Sequence, residues 1–119
     1  HYLYEPNSAL IKAGAFRSVA ERMNLQKLHP NSHLYTSEQL IPDFPGRAFI
    51  VETYSGFGKK ELKSLLQDIN RANLAVRNFP ATAEELRKRL KLKDGGETYL
   101  FATTLNGGNE KILIRCRKA

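Results

Sequence analysis

From residue 47 onward the apolar residues change their spacing several times, and each change marks an element. Arg47-Ala48-Phe49-Ile50-Val51-Glu52-Thr53-Tyr54 is dense in β-branched and aromatic residues and predicts a strand. Over 59–69, Leu62, Leu65, Leu66 and Ile69 fall at i, i+3, i+4 and i+7, the single stripe of a helix. Asn73-Leu74-Ala75-Val76-Arg77 predicts a short strand that Pro80 ends. Thr82-Ala83-Glu84-Glu85 is a capping box, in which Thr82 and Glu85 satisfy each other's free backbone N–H groups, and it opens a helix through about Leu92. A hairpin closes the chain, from Glu97 to Thr104 and from Lys111 to Arg117, around the turn Asn106-Gly107-Gly108-Asn109. The order β-α-β-α-β-β predicts two layers, with helices on one face of a small sheet and the other face free for solvent or a ligand.

The first 46 residues follow a different pattern. After Pro6, Asn7 or Ser8 can cap a helix, and Leu10, Ala13, Phe16, Ala20 and Met23 recur at helical spacing. A helix over about 7–24 is expected, bent or split at Gly14. Residues 28–46, with prolines at 30, 42 and 45, predict mostly loop, with a short strand at His33 to Thr36 and a helical turn from Ser37 to Leu40. Pro42-Asp43-Phe44-Pro45-Gly46 is the candidate boundary. The expected organisation is thus a helical, loop-rich connector arm over 1–46 and an α+β domain over 47–119.

Charge sharpens this division. Residues 1–46 hold four cations and four acids, whereas residues 47–119 hold fifteen cations against eight acids and carry the entire net +7. Such segregation speaks of attraction to a polyanion, because it adds self-repulsion without adding burial. The hydrophobic fraction of 41% places the excess on a folded body. Cys116 is the only cysteine, which excludes an intrachain disulfide and a cysteine metal cluster, fits a reducing cytoplasm and predicts burial in a strand. No apolar run approaches the roughly 18 residues of a membrane span, so no membrane partner is expected. The opening His1-Tyr2-Leu3-Tyr4, without an initiator Met, is expected to belong to a longer protein.

Candidate chemistry follows the cations. In the last strand Ile112, Ile114 and Cys116 alternate with Lys111, Leu113, Arg115 and Arg117, separating an apolar face from a basic one. If Tyr99 and Phe101 lie beside the arginines, the open face has the aromatic and basic makeup that stacks bases and neutralises phosphates; in the alternative both aromatics are core and the arginines are solvated. The helix from Thr82 carries Arg87, Lys88, Arg89, Lys91 and Lys93 where its dipole favours cations, with phosphate binding as a second use. Ser55-Gly56-Phe57-Gly58-Lys59-Lys60 links a strand to a helix, and its lysines sit where the dipole disfavours them, so it reads either as a plain glycine turn or as a seat for an external anion. Pro30 separates His29 from His33, so they do not form a helical metal pair, and no metal site is expected. No catalytic constellation is present.

Two stretches carry a family resemblance. Tyr2-Leu3-Tyr4-Glu5-Pro6-Asn7-Ser8-Ala9-Leu10-Ile11-Lys12-Ala13-Gly14-Ala15-Phe16 and Leu28-His29-Pro30-Asn31-Ser32-His33-Leu34-Tyr35-Thr36-Ser37 resemble the region after the catalytic domain in a group of bacterial, mostly Bacteroidetes, class I S-adenosylmethionine-dependent methyltransferases. Val76-Arg77-Asn78-Phe79-Pro80, Leu86-Arg87-Lys88-Arg89-Leu90-Lys91-Leu92 and Tyr99-Leu100-Phe101 resemble their C-terminal THUMP-like domain. The resemblance implies a ferredoxin-like α+β arrangement and an RNA-related role, since THUMP domains deliver tRNA or ribosomal RNA to attached modifying enzymes. The methyl-donor loop and catalytic sequence of such enzymes have no counterpart here, so S-adenosylmethionine is expected in a catalytic domain outside this chain. The candidate RNA contacts are Arg77, Arg87, Lys88, Arg89, Arg115 and Arg117, with Lys59 and Lys60 in reserve. The rival expectation is a domain that braces the catalytic domain through Tyr2, Tyr4 and the first helix without touching RNA.

Overall fold

A computed structural model describes residues 1–9, 20–29, 33–105 and 110–119. In chain order the elements are β1 (Tyr2–Pro6), β2 (Gln26–Lys27), β3 (Tyr35–Ser37), β4 (Gly46–Ser55), α1 (Lys59–Leu66), β5 (Asn73–Arg77), α2 (Ala83–Leu90), β6 (Tyr99–Leu105) and β7 (Glu110–Lys118). The seven strands of the described residues join one sheet in the order β2-β3-β1-β4-β7-β6-β5, in which β5 and β6 are parallel and the other neighbours antiparallel. The β-α-β-α-β-β order after residue 46 stands as expected.

The arm departs from expectation by contributing three of these strands. β1 lies between β3 and β4, with Leu3 opposite both Thr36 and Phe49. The helical turn expected over 37–40 does not form, because competing hydrogen bonds hold that backbone. Ser37 pairs with Tyr2, its Oγ accepts from Gln39 N, and the Tyr4 hydroxyl donates to Gln39 O at 2.9 Å while accepting from Ile41 N at 3.0 Å. Residues 8, 9 and 20–22 of the expected first helix are helical, and the part of that expectation from Leu10 to Val19 lies outside the described residues, as does the 106–109 turn.

Helix α1 ends at Leu66, short of Ile69. A longer helix would need the Ile69 N–H on Leu65 O, but that carbonyl accepts from Arg115 Nη1 at 2.9 Å, and Ile69 N turns instead to Leu66 O at 3.2 Å. At α2 the capping box is complete, with Thr82 and Glu85 each accepting the other's backbone N–H at 3.1 Å. Lys91 then takes the left-handed conformation, φ 57°, that stops the helix.

The sheet is strongly curved. Glu5 on β1 and Arg77 on β5 are four strand steps apart, roughly 19 Å in a flat sheet at about 4.8 Å per step. Yet Arg77 Nε donates to Glu5 Oε2 at 2.5 Å, so β1 and the edge strand β5 must bend toward each other. A bulge in β4 between Val51 and Thr53 adds local bend. Leu3, Phe49, Phe101, Ile112, Ile114 and Cys116 fill the concave side, and Leu34 and the partly buried Leu28 pack onto it from the arm. The convex side presents Leu100, Ala102 and Leu113 to Leu65 of α1 and Leu86 of α2.

Neither face is therefore the open, ligand-ready surface expected from the pattern. Tyr99 pairs opposite Cys116 and Phe101 opposite Ile114, which puts both aromatics with the alkyl residues, where Phe49 meets their rings at 5.0 and 5.1 Å. The arrangement of aromatics beside arginines does not form. Burial raises the Cys116 thiol to about 12, with Glu52 adding to the shift, so the thiol stays protonated in the folded protein.

One polar group in the concave core stands unpaired among the described residues. Thr103 is fully buried opposite Ile112, and its Oγ1 has no hydrogen-bond partner. Thr103→Val removes the orphaned hydroxyl while keeping the branched shape, and is expected to raise stability by about 1 kcal/mol. An increase in the denaturation midpoint without a change in m-value would show this.

Candidate nucleic-acid interface

Helices α1 and α2 lie on the convex side of the sheet and frame a groove of about 460 Å³. Its apolar floor comes from Phe57, Leu62, Leu66 and Leu90, and Lys59, Lys63 and Arg89 stand on its rim. Lys59 and Lys63 share one helical face because they are four residues apart. The Arg89 guanidinium lies over the Phe57 ring, 5.7 Å from its centroid, and Phe57 in turn packs against Phe79 at 5.1 Å. The loop before α1 is held from within the chain: Gly56 N donates to Glu61 Oε2 at 2.9 Å. A carboxylate of the protein thus occupies the position considered for an external anion.

The candidate cations separate into committed and uncommitted groups. Arg77 and Arg47 both donate to Glu5, whose side chain is only 12% exposed. Burial pushes the Glu5 carboxyl up, but the hydrogen bonds and charges of Arg77 and Arg47 together outweigh it and hold the group below its ordinary value of 4.5. Arg115 lies beneath the helical layer, 15% exposed, with Asp68 gripped by Nη1 and Nη2 at 2.6 and 3.0 Å and Glu52 at 3.5 Å. This pairing raises the Arg115 guanidinium and lowers Asp68 from their ordinary values. Of the candidate RNA contacts, Arg77 and Arg115 are thus engaged in ion pairs within the fold, with side chains 37% and 15% exposed. Arg87 is tied to Asp94 at 3.2 Å.

Lys59, Lys60, Lys63, Lys88 and Arg117 are exposed with no acidic partner among the described residues, and Arg89 is exposed above Phe57. All but Arg117 lie on the two helices. Lys63 and Phe57 are the members of this surface that the linear pattern did not single out. The i, i+4 spacing of Lys59 and Lys63 was a visible signal for one, while the role of Phe57 depends on α2 arriving beside it. Among the described residues no cluster of His, Cys, Asp and Glu is placed to hold a metal, and His29 instead contacts Asn78 at 3.0 Å. Among the described residues no helix is long and apolar enough to cross a membrane.

Residues 46–118 match the family model described as THUMP domain-like, and residues 2–45 match one described as a ferredoxin-like domain. The chain belongs to the THUMP domain-like family. The THUMP-like chain is 26% identical over 110 residues to an uncharacterized S-adenosylmethionine-dependent methyltransferase of Mycobacterium tuberculosis, found in two strains. That match covers 91% of the THUMP-like chain and 30% of the relative. A crystal structure of a "putative methyltransferase" from Porphyromonas gingivalis is 50% identical, with a TM-score of 0.87 across 99% of this chain and 29% of that one. The THUMP-like chain thus spans about 30% of the length of the relatives it matches.

Proposed function

We propose that this THUMP-like chain is the C-terminal, RNA-binding part of a cytoplasmic S-adenosylmethionine-dependent methyltransferase, and that it recruits tRNA or ribosomal RNA to a catalytic domain outside the chain. The observation that carries the reading is the helical layer: Lys59, Lys60, Lys63, Lys88 and Arg89 all face solvent on α1 and α2 without acidic partners among the described residues. The methyltransferase relatives, about three times as long, supply the enzymatic context. This chain does not itself suit the methyl donor. Its one Gly-x-Gly turn is closed by Glu61, and no glycine-rich loop of the required kind is present, so donor binding and catalysis belong to the remainder of the parent.

Titrating the chain with tRNA and ribosomal RNA fragments over a range of salt tests the reading. Binding should weaken linearly in log–log form as salt rises, and Lys59→Ala with Lys63→Ala should reduce the slope by about 2, close to one for each phosphate deprived of its cation. Absence of binding at low salt, or affinity indifferent to salt, would sink it. A second reading, in which the domain braces the catalytic domain, is favoured by one feature. Tyr54, 64% exposed, stands at an apolar cavity of about 270 Å³ whose walls include Leu3, Leu28, Val51 and Leu105. Deleting the whole of residues 1–119 from the parent, which cuts no strand of the shared sheet, separates the two: lost RNA binding with retained stability favours recruitment, and lost solubility favours bracing.

A further inference from the structure

We infer that the α1–α2 groove receives an unstacked base of single-stranded RNA, with the Arg89 guanidinium plane as its stacking platform. The inference rests on the RNA reading above and extends it from phosphate attraction to recognition of a base. Phe79, Phe57 and Arg89 follow one another in a row, in which the two rings meet at 5.1 Å with their planes tilted by 35° and the guanidinium carbon lies over Phe57, 5.7 Å from its centroid. A freely solvated arginine would sample many orientations. This one is held over an aromatic ring and has no acidic partner among the described residues, so its position is restricted and its donors are not spent on a carboxylate.

The surroundings suit a base flanked by phosphates. Leu62, Leu66 and Leu90 give the groove an apolar floor, and its volume of about 460 Å³ lies within the roughly 300 to 1,000 Å³ usual for small-ligand clefts. Lys59 and Lys63 stand along one rim, at the spacing of one helical turn, where a backbone passing the groove would be neutralised. Bases in single strands are splayed out and stack on aromatic rings or arginine planes, whereas an A-form duplex keeps its base faces stacked inside and offers only edges, hydroxyls and phosphates. An interhelical packing gap accounts for the leucines. It does not account for three cations around a half-buried apolar floor, with one of them held over an aromatic ring.

The test compares three RNAs of equal length binding to the chain: a single strand, the same strand with abasic sites, and a duplex. The intact single strand should bind about tenfold more tightly than the abasic strand, because the phosphates are shared and only base stacking differs. Arg89→Lys keeps the charge and removes the plane. It should lose about the same factor on the intact strand, lose clearly less on the abasic strand and the duplex, and preserve the salt slope because the charge is kept. Phe57→Leu, which removes the backing ring but keeps an apolar floor, should act in the same direction. Equal binding of intact and abasic strands, or an Arg89→Lys variant that binds the intact strand like the parent, overturns the inference. If duplex binding remains salt-dependent in that case, the RNA-recruiting reading survives, whereas absence of binding to all three RNAs removes both.

Discussion

Replacing Glu5 with glutamine is expected to destabilise the fold by roughly 2 to 3 kcal/mol, the scale of charge-assisted hydrogen bonds lost from a largely buried group. The variant leaves the Arg47 and Arg77 guanidinium groups facing a neutral amide where β1 meets the edge strand β5 across the curved sheet. The effect should depend on pH in a defined direction. The Glu5 carboxyl is held below its ordinary value of 4.5, so its contribution is complete above that pH and is lost as pH falls through the lower folded-state value. Denaturant unfolding at neutral pH should therefore show the full difference between parent and Glu5→Gln, and the difference should shrink as the medium is acidified below 4.5. A constant difference across that range would mean that the carboxylate is not the source of the stability.

Arg115→Met is the second large effect. The methionine keeps the apolar stem that packs in the sheet but loses the donors to Asp68, to the Leu65 carbonyl and to Glu52. Asp68 and Glu52 can turn to water, so the expected loss is about 1 to 2 kcal/mol, most of it from the uncapped end of α1. RNA affinity and its salt dependence should not change, because Arg115 lies beneath the helical layer. A drop in RNA affinity without a drop in stability would add Arg115 to the proposed RNA surface.

The elements that were legible in the sequence are those whose causes are local. β5 appears over Asn73–Arg77 as its apolar run predicts, and α2 begins at its Thr82 to Glu85 capping box, a four-residue signal that needs no partner. β1 was not legible. Tyr2–Pro6 is short and ends in proline, and its strand character is conferred by β3 and β4, whose residues lie more than 30 positions away. The hairpin alternation separated two faces correctly but not their fates, because β6 and β7 are covered on both sides. The candidate site divides in the same way. Counting cations located the two basic helices, yet it could not distinguish Arg89, free above Phe57, from Arg115 or Arg77, whose acids come from other parts of the chain.

The ion pair between Glu5 and Arg77 joins residues 72 apart, and it can form only once β4, β7 and β6 stand side by side between them. Bringing together chain ends separated by that length costs on the order of 4 kcal/mol in loop entropy before any contact repays it. The hairpin of β6 and β7 and the capped helix α2 need far shorter closures. The C-terminal layers can therefore form without the N-terminal strand, whereas the Glu5 carboxylate meets Arg77 only after that strand has docked.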